Sequence, residues 1–196
     1  MTATPDSWTE RFLLGITREG STEQQFAGIT SEITGLDFGE KDIESTPLAS
    51  GGRVVRPIPM TDESVTLKLY PITALLDGTG IVQQFHPQAT DDTSVPVVVE
   101  NTITRKKHKI VFVWSTTLPA TASTLPTLGS PSYRVQIINA YLTRYKPSFD
   151  NREFTAEATF KWAPFNKAGT VGNKREEYTS GSAQLAAATT SVTAWA

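Results

Sequence analysis

The chain has 196 residues, with 18 basic and 20 acidic side chains and a net charge of −2. This length suits one all-β domain, and an apolar content of 38% is enough to bury a core. The balanced charge excludes a protein that attracts nucleic acid or membrane surfaces by net charge. Cysteine is absent, which excludes disulfides, thiolate metal sites and thiol nucleophiles.

Segment 1–25 is predicted to be an N-terminal arm. It lacks the apolar core of a signal peptide, and nowhere do about 18 apolar residues follow one another, so we expect a cytoplasmically made chain with no membrane partner. SWTE at 7–10 fits a helix start, whereas Trp8, Phe12 and Leu14 fit a strand. The fold class of the whole chain is predicted to be mainly β, because threonine, the commonest residue at 29 positions, favours pleated surfaces.

A long connection, GLDFGEKDIESTPLASGG at 35–52, lies between two predicted strands, ITSEIT and RVVRPI. Connections longer than about 12–15 residues are usually functional or disordered, and this one holds apolar residues that a solvated linker would lack. We therefore expect an inter-subunit loop, mobile in the free subunit and ordered against a neighbouring subunit. Its expected contact residues are Glu40, Lys41, Asp42, Ile43, Glu44 and Leu48.

The next elements alternate apolar and polar residues. ESVTLKL places Val65, Leu67 and Leu69 on one face, and a short helix is predicted at 72–76, between a proline and Asp-Gly. Downstream, YRVQIINAYLTRY and REFTAEATFKW are joined by the turn-rich KPSFDN, which predicts a hairpin whose second strand has one apolar and one polar face. One buried and one wet face is typical of antiparallel sheets.

Another hairpin is predicted from VPVVVENTIT and HKIVFVWST, joined by the basic residues RKK. We expect His108 and the lysines around it to be solvated and to prevent edge pairing rather than to bind phosphate. The stretch 116–132, which contains three prolines, predicts an extended excursion or flexible loop, and residues 180–196 predict a C-terminal arm.

No catalytic or metal-binding pattern is found. Histidine occurs only at 86 and 108, and His86 with Asp91 and Asp92 matches no metal-ligand spacing. A GxSxG elbow and a phosphate-binding loop are absent, and adjacent carboxylates do not indicate a glycosidase pair. We therefore expect a protein that is not an enzyme and needs no cofactor.

Two segments resemble one family. GITSEITGLDFGEKDIESTPLASGGRVVRPIPMTDESVTLKLYPI is similar to the front half of a tailed-virus major tail tube protein, with a strand, a long loop, a glycine pair, a strand and an acid-led strand in order. YRVQIINAYLTRYKPSFDNREFTAEATFKWAPFNKAG resembles the closing hairpin of the same family. Together they cover roughly half the chain.

The resemblance implies a single tail-tube domain over residues 1–196, of the tail tube and Hcp-like superfamily. Its fold would be an antiparallel β-sandwich or barrel with one short flanking α-helix, a long inter-subunit loop and extended terminal arms. In that family, six-fold rings stack into the tube that carries viral DNA, and the inner sheets of each ring join around the channel.

Partners and location follow from the same resemblance. The implied partners are further copies in stacked homo-hexameric rings, a terminator, baseplate or tip proteins, sheath and tape-measure proteins, and DNA that passes through the lumen without specific binding. The implied location is the virion tail, after assembly in the host cytoplasm.

If REFTAEATFKW lies in the inner sheet, its polar face would line the lumen. A polar wall without a dominant positive field lets DNA slide, because each phosphate contact made by Lys or Arg must be broken again. The expected lumen-facing residues are Thr66, Lys68, Thr155, Glu157, Thr159 and Lys161.

Other functions remain open from the sequence. A tail terminator or completion protein would cap a tube without polymerising, and tubes of contractile injection systems share the fold, so that fold alone does not choose among them. A carbohydrate-binding or adhesin-like β-sandwich would present a solvent-facing row of aromatic residues. The strand aromatics Phe112, Trp114, Phe160 and Trp162 are instead expected in the core.

Overall fold

The computed structural model describes residues 11–27, 30–36, 43–57, 62–69, 106–117, 119–124, 129–150, 153–166 and 169–185. Ten strands occur: β1 (Arg11–Arg18), β2 (Gln24–Ala27), β3 (Thr30–Thr34), β4 (Ile43–Pro47), β5 (Arg53–Pro57), β6 (Glu63–Leu69), β7 (His108–Ser115), β8 (Ser132–Asp150), β9 (Glu153–Trp162) and β10 (Lys174–Thr179). The mainly β prediction is confirmed. These ranges contain no helix, and hence none that is long and apolar enough to cross a membrane.

Several predictions fall on residues outside those ranges. They are the short helix at 72–76, the helix start at 7–10, the segment 95–104, and the residues His86, Asp91 and Asp92.

One antiparallel sheet follows the order β2-β1-β7-β8-β9-β6-β3, and β10 also pairs with β8. The long strand β8 belongs to two halves of this sheet. Residues 132–140 pair with β7, residues 132–137 also pair with β10, and residues 141–150 pair with β9. We call β2, β1, β7, β10 and residues 132–140 the first half, and β3, β6, β9 and residues 141–150 the second half.

Asn139 marks the junction of the two halves. Its φ of 57° is in the left-handed region, which asparagine tolerates better than most side chains. The side-chain amide of Asn139 donates a hydrogen bond of 3.0 Å to the Asn173 side chain. The irregular backbone lies between the part of β8 that pairs with β7 and the part that pairs with β9.

The core lies between the two halves, so the sheet folds over as a sandwich. Val65, Leu67 and Leu69 are fully buried, as the alternation in β6 predicts. Each large apolar side chain buried in this way contributes about 1.5–3 kcal/mol. The first half contributes Leu14, Ile16, Ile110, Phe112, Val135 and Ile137, and the second half also contributes Ala158, Phe160 and Trp162.

The predicted hairpin of residues 95–104 with HKIVFVWS is wrong. Strand β7 pairs with β1 along one edge and with β8 along the other, so both of its edges are occupied from His108 to Ser115. His108, Lys107 and Lys109 are buried, with exposed fractions of 0%, 6% and 1%, and are not a solvated tip. The continuous apolar run in this strand indicates burial on both faces, which is typical of a central strand.

The predicted hairpin of β8 and β9 is confirmed, and its first strand is longer than expected. Residues of KPSFDN continue β8 as far as Asp150, which pairs with Glu153.

Near the N-terminus, β1 pairs along its whole length with β7, so residues from Arg11 onwards form part of the sheet rather than of an arm.

Candidate assembly surfaces

The long connection contains a β-hairpin. Strand β4 pairs with β5 from Ile43 opposite Pro57 to Pro47 opposite Arg53. At the turn, the Leu48 amide donates to the Gly52 carbonyl at 2.7 Å, and the Gly51 amide donates to the Leu48 carbonyl at 3.0 Å. Within the described residues, these strands pair only with each other. We call residues 43–57 the assembly hairpin.

The predicted contact residues of this loop are only partly described. Ile43 and Glu44 begin β4, Leu48 stands at the turn with 47% of its surface exposed, and residues 40–42 lie outside the described ranges. Leu48 is therefore only partly covered by its own chain, and its contact with another molecule stays a prediction.

Gly35 fixes the path from β3 towards the assembly hairpin. Its φ is +83°, and a Cβ at this position would lie 2.4 Å from the Ser64 carbonyl oxygen. Both the backbone angle and the close approach exclude larger residues. Any other side chain would displace β3 from its neighbour β6.

The six predicted lumen-facing residues lie together on one face of β6 and β9. Thr66 is opposite Thr159 and Lys68 is opposite Glu157, and the two threonine hydroxyls are 3.0 Å apart. Thr155 and Lys161 belong to the same face by strand alternation. Lys68 and Lys161 are exposed and the other four are half-buried, so the described chain leaves this surface, the polar face, open to solvent.

Both strands of the β8–β9 hairpin contribute charged side chains to the polar face. Arg144 of β8 contacts Glu157, with 3.5 Å between the guanidinium and the carboxylate. The Arg144 and Glu157 side chains are 56% and 40% exposed, so water screens the pair. Lys146 lies opposite Glu157 in the β8 register and is exposed.

The outer face of the first half is instead covered by the chain itself. Residues 119–124, which we call the strap, place Ala122 against Leu13, Val111 and Val113, and all four are buried. The Ala122 amide also donates to the Gln25 side chain at 2.8 Å. The expectation of an extended or flexible excursion is therefore wrong for the strap, because small residues allow it to pack closely on the sheet.

Glu23 holds the strap to β7. Its carboxylate accepts hydrogen bonds from Lys109 at 2.7 Å and from the Ser123 amide at 3.1 Å, and it also contacts the Ser123 hydroxyl and Gln25. Burial alone would raise the pKa of Glu23. The hydrogen bonds from Lys109, Ser123 and Gln25, with the charge of Lys109, outweigh it and lower the pKa below its ordinary value.

A second buried ion pair lies between β8 and β10. Arg134 is fully buried, and its Nε donates to Glu177 at 2.6 Å. The same carboxylate also forms an ion pair with the Arg175 guanidinium, at 2.9 Å. Because a buried charge is costly without a partner, Glu177 is needed to keep Arg134 in this interior position.

A row of aromatic side chains crosses the first half and ends in solvent. Phe12 and Trp114 have ring centroids 5.3 Å apart, Trp114 and Tyr133 5.6 Å, and Tyr178 is opposite Tyr133 in the strand register. Exposure rises along the row to 37% for Tyr133 and 72% for Tyr178. Phe112, Phe160 and Trp162 are buried as predicted, whereas Trp114 is half-buried.

Sequence reasoning did not identify the exposed end of this row, nor Phe149, which is 71% exposed near the far end of β8. The available signal was the position of Tyr133 and Phe149 next to the two ends of one long strand. Among the described residues, no group of three or more His, Asp or Glu side chains could hold a metal ion.

Comparison with known proteins gives structural similarities only. No protein-family model matches the chain, and no curated protein matches it in sequence. The sheath-tube complex of an extracellular contractile injection system, PVC, contains a chain with a TM-score of 0.46 at 18% identity, covering 86% of this chain and 89% of that one.

Two further structures give similar values. A chain of the anti-feeding prophage (AFP) tube-terminating cap aligns with a TM-score of 0.44 at 15% identity, over 85% of this chain and 88% of that one. A chain of the PVC sheath/tube terminator aligns with a TM-score of 0.43 at 17% identity, over 82% and 93%. TM-scores below 0.5 at these identities do not by themselves establish a shared fold or function.

Proposed function

We propose that this protein is the structural subunit of a tail tube, in which hexameric rings of the chain stack around a channel for viral DNA. The observation that carries the proposal is the assembly hairpin, whose two strands pair only with each other in the described part of the chain. Leu48 at its turn remains 47% exposed, as expected for a contact that a second subunit completes.

The polar face supplies the channel wall in this proposal. A surface of threonines and mixed charges, with Glu157 among Lys68, Arg144 and Lys146, gives DNA few lasting contacts. The subunit needs no catalytic group for this role. Its further partners would be a terminator, baseplate or tip proteins, a tape measure and a sheath, and its place would be the virion tail after assembly in the host cytoplasm.

Electron microscopy of the concentrated, purified protein tests the proposal directly. We expect rings or tubes, with subunit interfaces of about 1,600 Å² or more per pair. A protein that remains a sharp monomer by light scattering, without rings at any salt concentration, would refute it. Rings that never stack would indicate a terminator.

Deleting residues 42–50 and closing the gap tests the assembly hairpin. The deletion removes β4 and the turn but leaves the eight-stranded sheet, so the circular dichroism of a β domain should persist while stacking is lost. Leu48→Ser is the milder variant and should weaken assembly without changing the fold. Tubes of full length from the deletion variant would contradict the assignment.

Glu157→Lys tests the channel wall. The change adds a positive charge beside Lys68 and Lys146, so DNA should leave mutant particles more slowly while the tubes stay intact. Glu157→Gln is the matched control, because it removes the negative charge without adding a positive one. Ejection at the normal rate from particles built fully of the Glu157→Lys subunit would count against a lumen position.

A further inference from the structure

The chain leaves strand β3 under three separate restraints. Gly35 closely approaches the Ser64 carbonyl of the second half, and the Leu36 side chain packs half-buried against the core. The third restraint comes from the first half of the sheet, because the Lys174 ammonium at the start of β10 donates to the Leu36 carbonyl. Both the backbone and the side chain of Leu36 are therefore held, and residues 37–42 connect this point to the assembly hairpin.

Lys174 itself is held in a buried position. Its side chain is 2% exposed, and its ammonium also pairs with the Glu176 carboxylate at 3.2 Å. The carboxylate supplies the counter-charge that a buried ammonium needs, and the Leu36 carbonyl accepts another of its hydrogen bonds. Glu176 in turn hydrogen-bonds the Tyr133 hydroxyl of β8. The ammonium therefore gives Leu36 a support that is fixed within the first half.

Asn173 fixes the backbone next to Lys174. The Asn173 side-chain amide donates to the carbonyls of Ala163 at 2.8 Å and Phe165 at 3.0 Å, just after β9. The Asn173 carbonyl accepts a hydrogen bond of 2.8 Å from the Ile138 amide of β8. Residues 173 and 174 thus join the start of β10 to the ends of β9 and β3, which both belong to the second half.

We propose that Lys174 is a positioning residue for the assembly hairpin, because it holds the Leu36 carbonyl and so fixes where the connection to the hairpin begins. This inference rests on the proposed function, in which the hairpin contacts a second subunit. A segment that must be ordered on contact binds more weakly, since the ordering cost is subtracted from the binding free energy. With one end of the connection already fixed, part of that cost is met before the subunits meet.

The experiment uses Lys174→Met, Lys174→Arg and the control Arg175→Met in the full chain. Lys174→Met keeps an unbranched side chain but removes the hydrogen bond to Leu36, so the protein concentration needed for tubes should rise about tenfold. Lys174→Arg keeps a charged donor and should restore part of the assembly. Arg175 is 66% exposed and pairs with Glu177, so Arg175→Met should leave the concentration unchanged.

An insertion separates positioning from stability. Gly-Gly placed directly after Leu36 keeps the contact with Lys174 but loosens the connection beyond it, so assembly should weaken about as much as in Lys174→Met. Thermal unfolding of the insertion variant should stay at the wild-type value, because two extra residues in a connection cost little. Combining the insertion with Lys174→Met should weaken assembly little further, since both changes remove the same restraint.

The outcomes are distinct. Tubes of Lys174→Met at the wild-type concentration overturn this inference and leave the proposed function standing. Wild-type assembly of the insertion variant, or a Lys174→Met chain that does not fold, would show that Lys174 acts through the stability of the domain and would also overturn it. A wild-type protein that never associates overturns the proposed function itself.

Discussion

The two halves of the sheet differ in what covers their outer faces. In the first half, the strap packs Ala122 onto Val111 and Val113, and Arg134 is buried in an ion pair. In the second half, the outer face carries Thr66, Lys68 and their neighbours and stays open to solvent. Within the described residues, the strap thus covers part of the outer face of the first half, whereas no described element covers the polar face of the second half.

Placing a charge on each outer face should give the largest difference in unfolding free energy between the two halves. Val113→Asp puts a carboxylate at a fully buried position under the strap, and we expect a loss of more than about 5 kcal/mol, enough to unfold the domain. Thr155→Asp makes the same charge on the polar face and should change stability by less than about 0.5 kcal/mol. Urea unfolding measures both. Similar losses would mean that the polar face is covered.

Removing one carboxylate charge from each half compares their ion pairs. Glu177→Gln leaves Arg134 buried without its counter-charge and should cost about 3–5 kcal/mol. Glu157→Gln breaks the pair with Arg144, whose side chains are 56% and 40% exposed, and should cost less than about 1 kcal/mol. Chemical denaturation of the two variants gives the difference, and equal costs would contradict the contrast between the halves.

Acid should weaken the anchor of the strap. The pKa of Glu23 is lowered in the folded chain, so its contribution is fully present above its unfolded value and is lost as the pH falls through the folded value. Glu23→Gln should cost about 1.5–3 kcal/mol at neutral pH, because hydrogen bonds to a charged group are lost.

The pH series provides the control for that anchor. The stability gap between the wild type and Glu23→Gln, measured by urea unfolding, should shrink as the pH falls below about 4.3, where the unfolded carboxyl becomes protonated before the folded one. A gap that is constant from pH 7 to pH 3 would show that Glu23 stabilises the strap without its charge.

The smallest contrast concerns hydroxyl pairs. Ser115 and Ser132 form a buried hydrogen bond of 2.7 Å, and Ser132→Ala should cost about 1 kcal/mol because Ser115 loses this partner. On the polar face, Thr66→Val removes the contact with Thr159 and should cost less, since water replaces the lost partner. Thermal unfolding of both variants resolves the order, and a larger loss for Thr66→Val would reverse it.

Strands with one buried and one wet face were predictable from the sequence. The alternation of Val65, Leu67 and Leu69 identifies β6 and its core face, and the same pattern identifies β9. Strand β7 was predicted as a strand, but its partner was assigned wrongly, because an apolar run that is buried on both faces does not indicate which strands lie at its edges. From the sequence, the lysines on either side of His108 are predicted to be surface charges, although tertiary contacts bury them in the structure.

The polar face and the assembly surfaces were predictable to different degrees. Strand alternation predicts which residues of β6 and of β9 share a face, whereas the register that brings Thr66 opposite Thr159 comes from the structure. Strand β4, which lies within 35–52, was missed, because Pro47 and the surrounding charges weaken its strand pattern. The exposure of Tyr178 depends on where the aromatic row ends, which only the assembled sheet determines.

The pairing of β1 with β7 also constrains how the chain is made. Leu13 is opposite Val113, about one hundred residues later, and the core still lacks Trp162 at that point of synthesis. At about 5–20 residues per second, β1 waits for seconds beside β2 with its other edge unpaired. Such distant contacts make folding slow, so the sandwich closes only after β9 has been made. The incomplete chain is therefore the stage most prone to aggregation.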